Sequence, residues 1–177
     1  NSDTYGAFVA DFTRFVETPG KGVRKTKSKP GQPDVPFQVR HVMPSMVLNR
    51  FESVRSFEVL FEQSNTVPIT HLHLLRIECK YLRYNLEFVD NLLGPEAQHL
   101  IADLRRLQEH LGNLNDAAVS IQMVANEPNA AGAPDLVVYL RTQDRAMRKH
   151  GALVGDDFRR FVSLANRRRL ALAIANI

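Results

Sequence analysis

The sequence predicts an all-α fold, a helical bundle of about five to six helices in a single domain spanning residues 1–177. Apolar residues recur at steps of three and four along nearly the whole chain, which is the period of an amphipathic helix. No run alternates apolar and polar residues convincingly, so strands are not expected. With 177 residues, 44% hydrophobic and 24% charged, the chain has the length and composition of one ordinary globular domain.

The first predicted helix covers about residues 3–17 and ends at "TPG", residues 18–20. Its aromatic residues share one face: Tyr5, Phe8, Phe12 and Phe15. The segment 20–36 that follows contains five basic residues, one acid and few residues that a core would bury. This composition favours a mobile basic loop.

The second predicted helix covers about residues 44–62 and opens at "PSM". It places Arg50 and Arg55 at polar or boundary positions. Its apolar face consists of Val47, Phe51, Val54 and Phe61. The third predicted helix is "HLHLLRIECKYLRYNLE", residues 71–87.

The fourth predicted helix begins near residues 94–95, a Gly-Pro pair, because proline fits the first helical turn. Its apolar residues follow a heptad-like spacing that is typical of a bundle seam: Leu100, Leu104, Leu107, Leu111, Leu114 and Ala118. A loop is expected at 126–134. Two C-terminal helices are expected after it, at about 135–150, ended by Gly151, and at about 156–175.

The third helix carries its basic residues on one side, and this basic stripe is the main functional signal of the sequence. It consists of four residues at steps of three, four and three: His73, Arg76, Lys80 and Arg83. At 100° per residue they occupy a sector of about 80°. Glu78 and Asn85 fall almost opposite and are expected to face solvent. The basic stripe is therefore expected to face a cleft or channel between helices.

A stripe of cations in a cleft needs a negative partner, because desolvating an isolated charge costs several kcal/mol. Glu87 can pair with Arg83 at i, i+4, and Asp116 can approach from the fourth helix. Two acids still leave an excess of positive charge among three permanent cations and a histidine. We therefore expect an external anion, with a solvated basic face as the alternative.

Two linked motifs resemble the second repeat of the CHAD domain, the conserved-histidine α-helical domain. The first is the basic stripe followed by Tyr84 and Glu87, and the second is "LRRLQEHLGNLND", residues 104–116, with Leu-Gln, Leu-Gly and a terminal Asp. A full CHAD domain has a comparable His-and-Arg helix in its first half, and none precedes residue 71 here. The resemblance is therefore to the C-terminal half of the domain.

The resemblance implies a bundle of two related halves around a basic cleft or channel that binds inorganic polyphosphate without known catalysis. The implied polyphosphate contacts are the four residues of the basic stripe. Arg50, Arg55 and Tyr84 are further candidate anion contacts. The motif also assigns structural roles to Glu87, Gln108, Gly112 and Asp116.

The chemistry of the stripe suits polyphosphate, a flexible chain with about one negative charge per phosphate unit. Arg76 and Arg83 can place two N–H donors on phosphate oxygens, while Lys80 supplies a movable point charge and His73 a hydrogen bond or a further charge. Binding is expected to weaken steeply with salt and to strengthen modestly below neutral pH.

The sequence indicates neither an enzyme, nor a cofactor, nor a metal site. It has no clustered carboxylates for magnesium and no Gly-rich phosphate loop. His71, His99 and His110 show no close cluster of carboxylates or cysteines with metal-ligand spacing. Cys79 lies on an apolar flank without a nearby base.

Other polar residues are given structural or surface roles. Gln108, Gly112 and Asn115 form a small polar strip that we expect to be a close-packing groove. The arginines at 141, 145 and 148, and those at 167–169, are expected on the solvated surface.

Two other functions remain open. One is binding of a nucleic-acid phosphate backbone, although no base-stacking platform is evident. The other is a helical adaptor for an acidic partner or for a triphosphate-tunnel enzyme. The absence of a membrane span and of a signal peptide, together with a single cysteine, favours the cytoplasm, with polyphosphate granules as a candidate location.

Overall fold

The computed structural model describes residues 2–22, 38–63, 67–126 and 134–177. Most of the two predicted loops lies outside these described residues: 23–36 of the loop 20–36, and 127–133 of the loop 126–134. The chain divides into two compact units, with the boundary after Phe37. Each unit is considered by itself, and a single domain over 1–177 stays a prediction.

The first unit contains helix α1, Ser2–Glu17, which agrees with the predicted 3–17. Its aromatic residues follow the helical period, and Phe8 and Phe12 stack with ring centroids 5.9 Å apart. Gly20 follows at φ 76°, a left-handed conformation that glycine adopts without steric cost, so the helix ends at the predicted "TPG".

The second unit contains six helices in its described part: α2 Val39–Arg55, α3 Glu58–Gln63, α4 Ile69–Phe88, α5 Glu96–Ala125, α6 Pro134–Phe161 and α7 Leu164–Ile174. The described part of the whole chain thus has seven helices and no strand, which confirms the all-α prediction. No helix within it is long and apolar enough to span a bilayer.

Helix α5 lies at the centre of this unit, since it packs against α4, α6 and α7, while α2 packs against α4. The predicted leucine seam is buried as expected, from Leu100 to Leu114. Phe51 of α2 contacts Phe161 of α6, with ring centroids 5.5 Å apart. Sequence periodicity therefore identified the helix around which the unit packs.

Two predicted helix boundaries are wrong. The predicted helix 44–62 begins earlier, at Val39, so Pro44 lies inside α2. It also breaks after Arg55, and α3 follows as a separate short helix. The break turns Phe61 onto Phe158 of α6, where the rings stack with centroids 4.3 Å apart. The chain thus packs Phe61 against Phe158 instead of continuing α2 as one helix.

The C-terminal helices also differ from the prediction, because Gly151 does not end a helix. It lies inside α6, which continues to Phe161 and buries Val154 and Phe158. A glycine inside a helix costs about 1 kcal/mol relative to alanine. Burial of each of these large side chains contributes about 1.5–3 kcal/mol, so the helix continues.

Candidate anion-binding site

Helix α4 positions the basic stripe at its boundary with α5. The helix buries its apolar flank in the core: Leu72, Leu75, Cys79, Leu82 and Leu86. This fixes the rotation of the helix. Arg76 and Arg83 are then half-buried, and His73 and Lys80 are exposed. The stripe thus has an exposed side that solvent reaches.

The opposite polar face of α4 is not the solvent face that the sequence predicted. Glu78 is half-buried, and its Oε2 lies 3.4 Å from Nη1 of Arg50 on α2. The prediction failed because α2 packs on that flank of α4 and supplies a cation to meet the carboxylate. Helix α4 is therefore held between α2 on one side and α5 on the other.

Arg83 anchors the C-terminal end of the stripe to α5. Its Nε donates to Oε1 of Gln108 at 2.7 Å. Its Nη1 donates to both carboxylate oxygens of Glu87, at 2.9 and 3.2 Å. Glu87 also accepts from Nη2 of Arg105 at 2.9 Å. Glu87 therefore divides one negative charge between two arginines and leaves a net positive charge at this end.

The other end of the stripe meets α5 at a second polar contact. Nδ1 of His73 lies 3.4 Å from Oδ1 of Asn115, an oxygen that can only accept. A hydrogen on Nδ1 satisfies this contact. Nε2 of His73 is then available to accept when the ring is neutral and to donate when it is protonated.

Arg76 and Lys80 lie between these two contacts along α4. Neither forms a salt bridge with any carboxylate in the part of the chain that the structure describes. Asp116, the second predicted internal partner, is exposed and forms none there either. The middle of the stripe therefore carries two cations without an acid to neutralise them.

The facing segment of α5 is open rather than closely packed, which corrects the expectation of a close-packing groove. Gly112 lies between Gln108 and Asn115 on the same side of α5. A Cβ built on Gly112 would meet no atom within 4 Å. The glycine leaves room beside the middle of the stripe.

Gln108 was missed as a functional candidate, because its sequence position indicates only a polar residue beside a leucine seam. Arg83 can only donate, so Oε1 of Gln108 must face it. The amide nitrogen Nε2 is then fixed as a donor, and it is buried without a hydrogen-bond partner among the described residues. Such a buried donor is costly and favours an acceptor beside it.

Two exposed tyrosines support the cations without neutralising them. Nζ of Lys80 lies 5.6 Å from the centroid of the Tyr84 ring, and Cζ of Arg83 lies 4.8 Å from it. Cζ of Arg50 lies 5.0 Å from the centroid of Tyr81. These cation–π contacts help to hold the charged groups in place and leave their positive charge uncancelled.

The structure does not bring every predicted residue to the stripe. Arg50 pairs with Glu78 and Tyr81 on the flank of α4 that faces α2. Arg55 pairs with Glu52 of its own helix at 3.2 Å. Their role as anion contacts stays a prediction.

Cys79 is fully buried, and this burial raises the pKa of its thiol far above the ordinary value. The nearby charge of Glu78 raises the pKa further. The thiolate that a nucleophile needs is therefore disfavoured.

Comparisons with known proteins bear on the family of this chain. A family model described as "CHAD domain" matches residues 1–125, which include α1 to α5. The comparison with curated proteins found no match. The comparison with solved structures found none. The matched segment covers more than two thirds of the chain. It contains both motifs described above, the basic stripe of α4 and residues 104–116 of α5, so the chain belongs to the CHAD domain family.

Proposed function

We propose that this chain is a non-catalytic module that binds inorganic polyphosphate along the basic stripe of α4. One observation carries the proposal. Arg76 and Lys80 have no carboxylate partner among the described residues, and they lie on α4 between the two contacts with α5 that flank the open position Gly112. CHAD domains are associated with polyphosphate, which makes this anion the first candidate.

The geometry supports a linear anion better than a single phosphate. From His73 to Arg83 the helix rises about 15 Å. The cations are distributed along this length, and its two ends are fixed to α5 by Asn115 and Gln108. Successive phosphate units of a flexible chain can follow such a row and release bound counterions.

The proposal includes no catalysis. Enzymes that transfer phosphoryl groups hold magnesium with clustered carboxylates. In the ranges that the structure describes, no three His, Cys, Asp or Glu residues are grouped to hold a metal ion. The acid beside the stripe, Glu87, is occupied by two arginines. We propose a cytoplasmic location, with polyphosphate granules as the candidate site of action.

Binding of a nucleic-acid backbone is the second candidate, and the exposed tyrosines favour it. Tyr81 and Tyr84 are each 47% exposed and lie beside cations, as in surfaces on which bases stack. Both ligands use phosphate charge, so loss of binding in a stripe variant cannot separate them. Only a direct comparison of ligands can.

The experiment that tests the proposal is a binding titration with long-chain polyphosphate and with RNA, at equal phosphate concentration and physiological salt. The wild type is compared with the Arg76→Glu, Lys80→Glu, Arg83→Glu variant. A matched control reverses three exposed arginines of α6 and α7, in the Arg141→Glu, Arg145→Glu, Arg168→Glu variant. Both variants change the net charge by the same amount.

We expect tight polyphosphate binding by the wild type and the control, and loss of binding in the stripe variant. Stronger binding of RNA than of polyphosphate would support the nucleic-acid function. Equal losses in both variants would mean that net charge alone attracts the anion. No binding of either ligand by the wild type would contradict both functions and favour an adaptor for an acidic partner or a triphosphate-tunnel enzyme.

A further inference from the structure

Two histidines that are 40 residues apart in sequence meet between α5 and α6. Nδ1 of His110 lies 3.3 Å from Nδ1 of His150, and the ring planes are inclined by 39°. Both side chains are half-buried. The sequence does not reveal this pair, because only the packing of α6 on α5 brings the second ring into place.

A buried carboxylate lies on the other side of His110. Oδ2 of Asp157 is 3.6 Å from Nε2 of His110, and Asp157 is 7% exposed. Its Oδ1 accepts from Nε of Arg106 at 3.0 Å, which fixes the carboxylate. The carboxylate favours a hydrogen on Nε2 of His110. The lone pair of Nδ1 then points towards His150.

The distance between the two Nδ1 atoms fits two arrangements. One is a simple N–H···N hydrogen bond between the rings. The other is a shared metal ion, because tetrahedral zinc with bonds of 2.0–2.1 Å separates two nitrogen ligands by about 3.3–3.4 Å. A carboxylate that orients a metal-bound histidine through its other nitrogen is a common feature of zinc sites. Asp157 lies on that side of His110, where its other oxygen also pairs with Arg106 and Arg160.

Burial and nearby charges favour the neutral form of His150. Burial lowers the pKa of His150, and the positive charges of His110 and Lys149 lower it further. Glu109 opposes these effects with a negative charge near His150. The neutral imidazole is the ligand form, so it is available at neutral pH.

We propose that Nδ1 of His110 and Nδ1 of His150 bind a divalent transition metal such as zinc between α5 and α6, with Asp157 orienting His110. No third His, Cys, Asp or Glu completes the group within the described ranges, so water occupies the remaining positions. Affinity is then moderate. The bound metal links α5, inside the segment matched by the family model, to α6 beyond it.

The test is a zinc titration of untagged protein, without polyphosphate, by calorimetry and by competition with a chromogenic chelator. We expect one equivalent of zinc to bind to the wild type. His150→Gln should weaken binding at least about tenfold. The matched control is His99→Gln, at an exposed position of α5, and it should bind zinc as the wild type does.

The melting temperature is a second readout, and it distinguishes zinc that bridges the two helices from zinc that binds to one histidine ring. Zinc should raise the Tm of the wild type and of His99→Gln, and leave that of His150→Gln unchanged. Should His150→Gln not fold, His110→Gln replaces it, because its amide keeps a polar group near Asp157. The proposal would be overturned if the wild type did not bind zinc stoichiometrically, or if His99→Gln and His150→Gln (or its replacement His110→Gln) bound zinc with equal affinity. The two histidines would then be a hydrogen-bonded pair.

Discussion

At Gly112 the absence of a side chain keeps the segment of α5 beside the stripe open. Because a Cβ there meets no atom within 4 Å, Gly112→Ala should fold normally and gain stability. The expected gain is about 0.5–1 kcal/mol, since alanine loses less backbone entropy than glycine in a helix. Chemical denaturation measures it.

A larger side chain at Gly112 tests whether polyphosphate binds in the open space beside it. Gly112→Leu should reduce polyphosphate affinity by about tenfold or more, because the side chain excludes a charge-assisted hydrogen bond to the anion. Gly112→Ala is the control, with at most a small effect. Unchanged polyphosphate affinity in a folded Gly112→Leu protein would place the anion elsewhere.

In the proposed binding mode, Glu87 opposes polyphosphate binding, because its carboxylate shares the anchor residue Arg83. Glu87→Gln should therefore strengthen polyphosphate binding by about two- to fivefold, which corresponds to about 0.4–1 kcal/mol for a partly exposed charge. Glu109→Gln, at an exposed position of α5, provides the comparison for net charge. If the two variants gained equally, the effect would not be specific to the stripe.

At the scale of helices, the sequence predicted the strongly periodic parts well. The leucines of α5 and the apolar flank of α4 were identified because each helix buries one continuous stripe. The basic stripe followed from the same rotation. The break after Arg55 and the passage of α6 through Gly151 were missed, because they depend on Phe61 and Phe158 meeting across the unit. Such long-range packing overrides local helix signals.

The contacts between α4 and α5 could be predicted only in part. The Arg83–Glu87 pair follows from i, i+4 spacing. The contact between Arg83 and Gln108, and the free donor that it leaves, require the relative position of the two helices. The same holds for His110 and His150, whose contact depends on the register between α5 and α6.

The interface of α5 and α6 also predicts a pH dependence of stability. Burial lowers the pKa of His150, so the unfolded chain binds a proton more readily than the folded one. This contribution to stability is present above the unfolded pKa, near 6.5, and is lost as the pH falls through the lower folded value. In chelator-treated protein, the unfolding free energy should decline between about pH 7 and 5. The decline should be shallower in His150→Gln, and an identical pH profile would contradict the assignment.

At the scale of the whole molecule, the net charge of +4 attracts anions generally, whereas the proposed site on the stripe would give them a defined place. The logarithm of the polyphosphate association constant should fall linearly with the logarithm of salt concentration. Removing three cations in an Arg76→Gln, Lys80→Gln, Arg83→Gln variant should reduce this slope by about 2, at about 0.7 per contact. A wild-type affinity that does not respond to salt would contradict electrostatic binding.

The most direct test of the central claim is an NMR titration of isotope-labelled protein with polyphosphate. It follows the backbone amides of α4 and the Nε–H signals of the arginines. We predict shifts at Arg76 and Arg83 and along the facing segment around Gly112, with smaller changes at Arg50 on the opposite flank and at Arg141 on α6. Shifts centred on Arg141, or spread evenly over all exposed arginines, would show that the stripe is not the binding site.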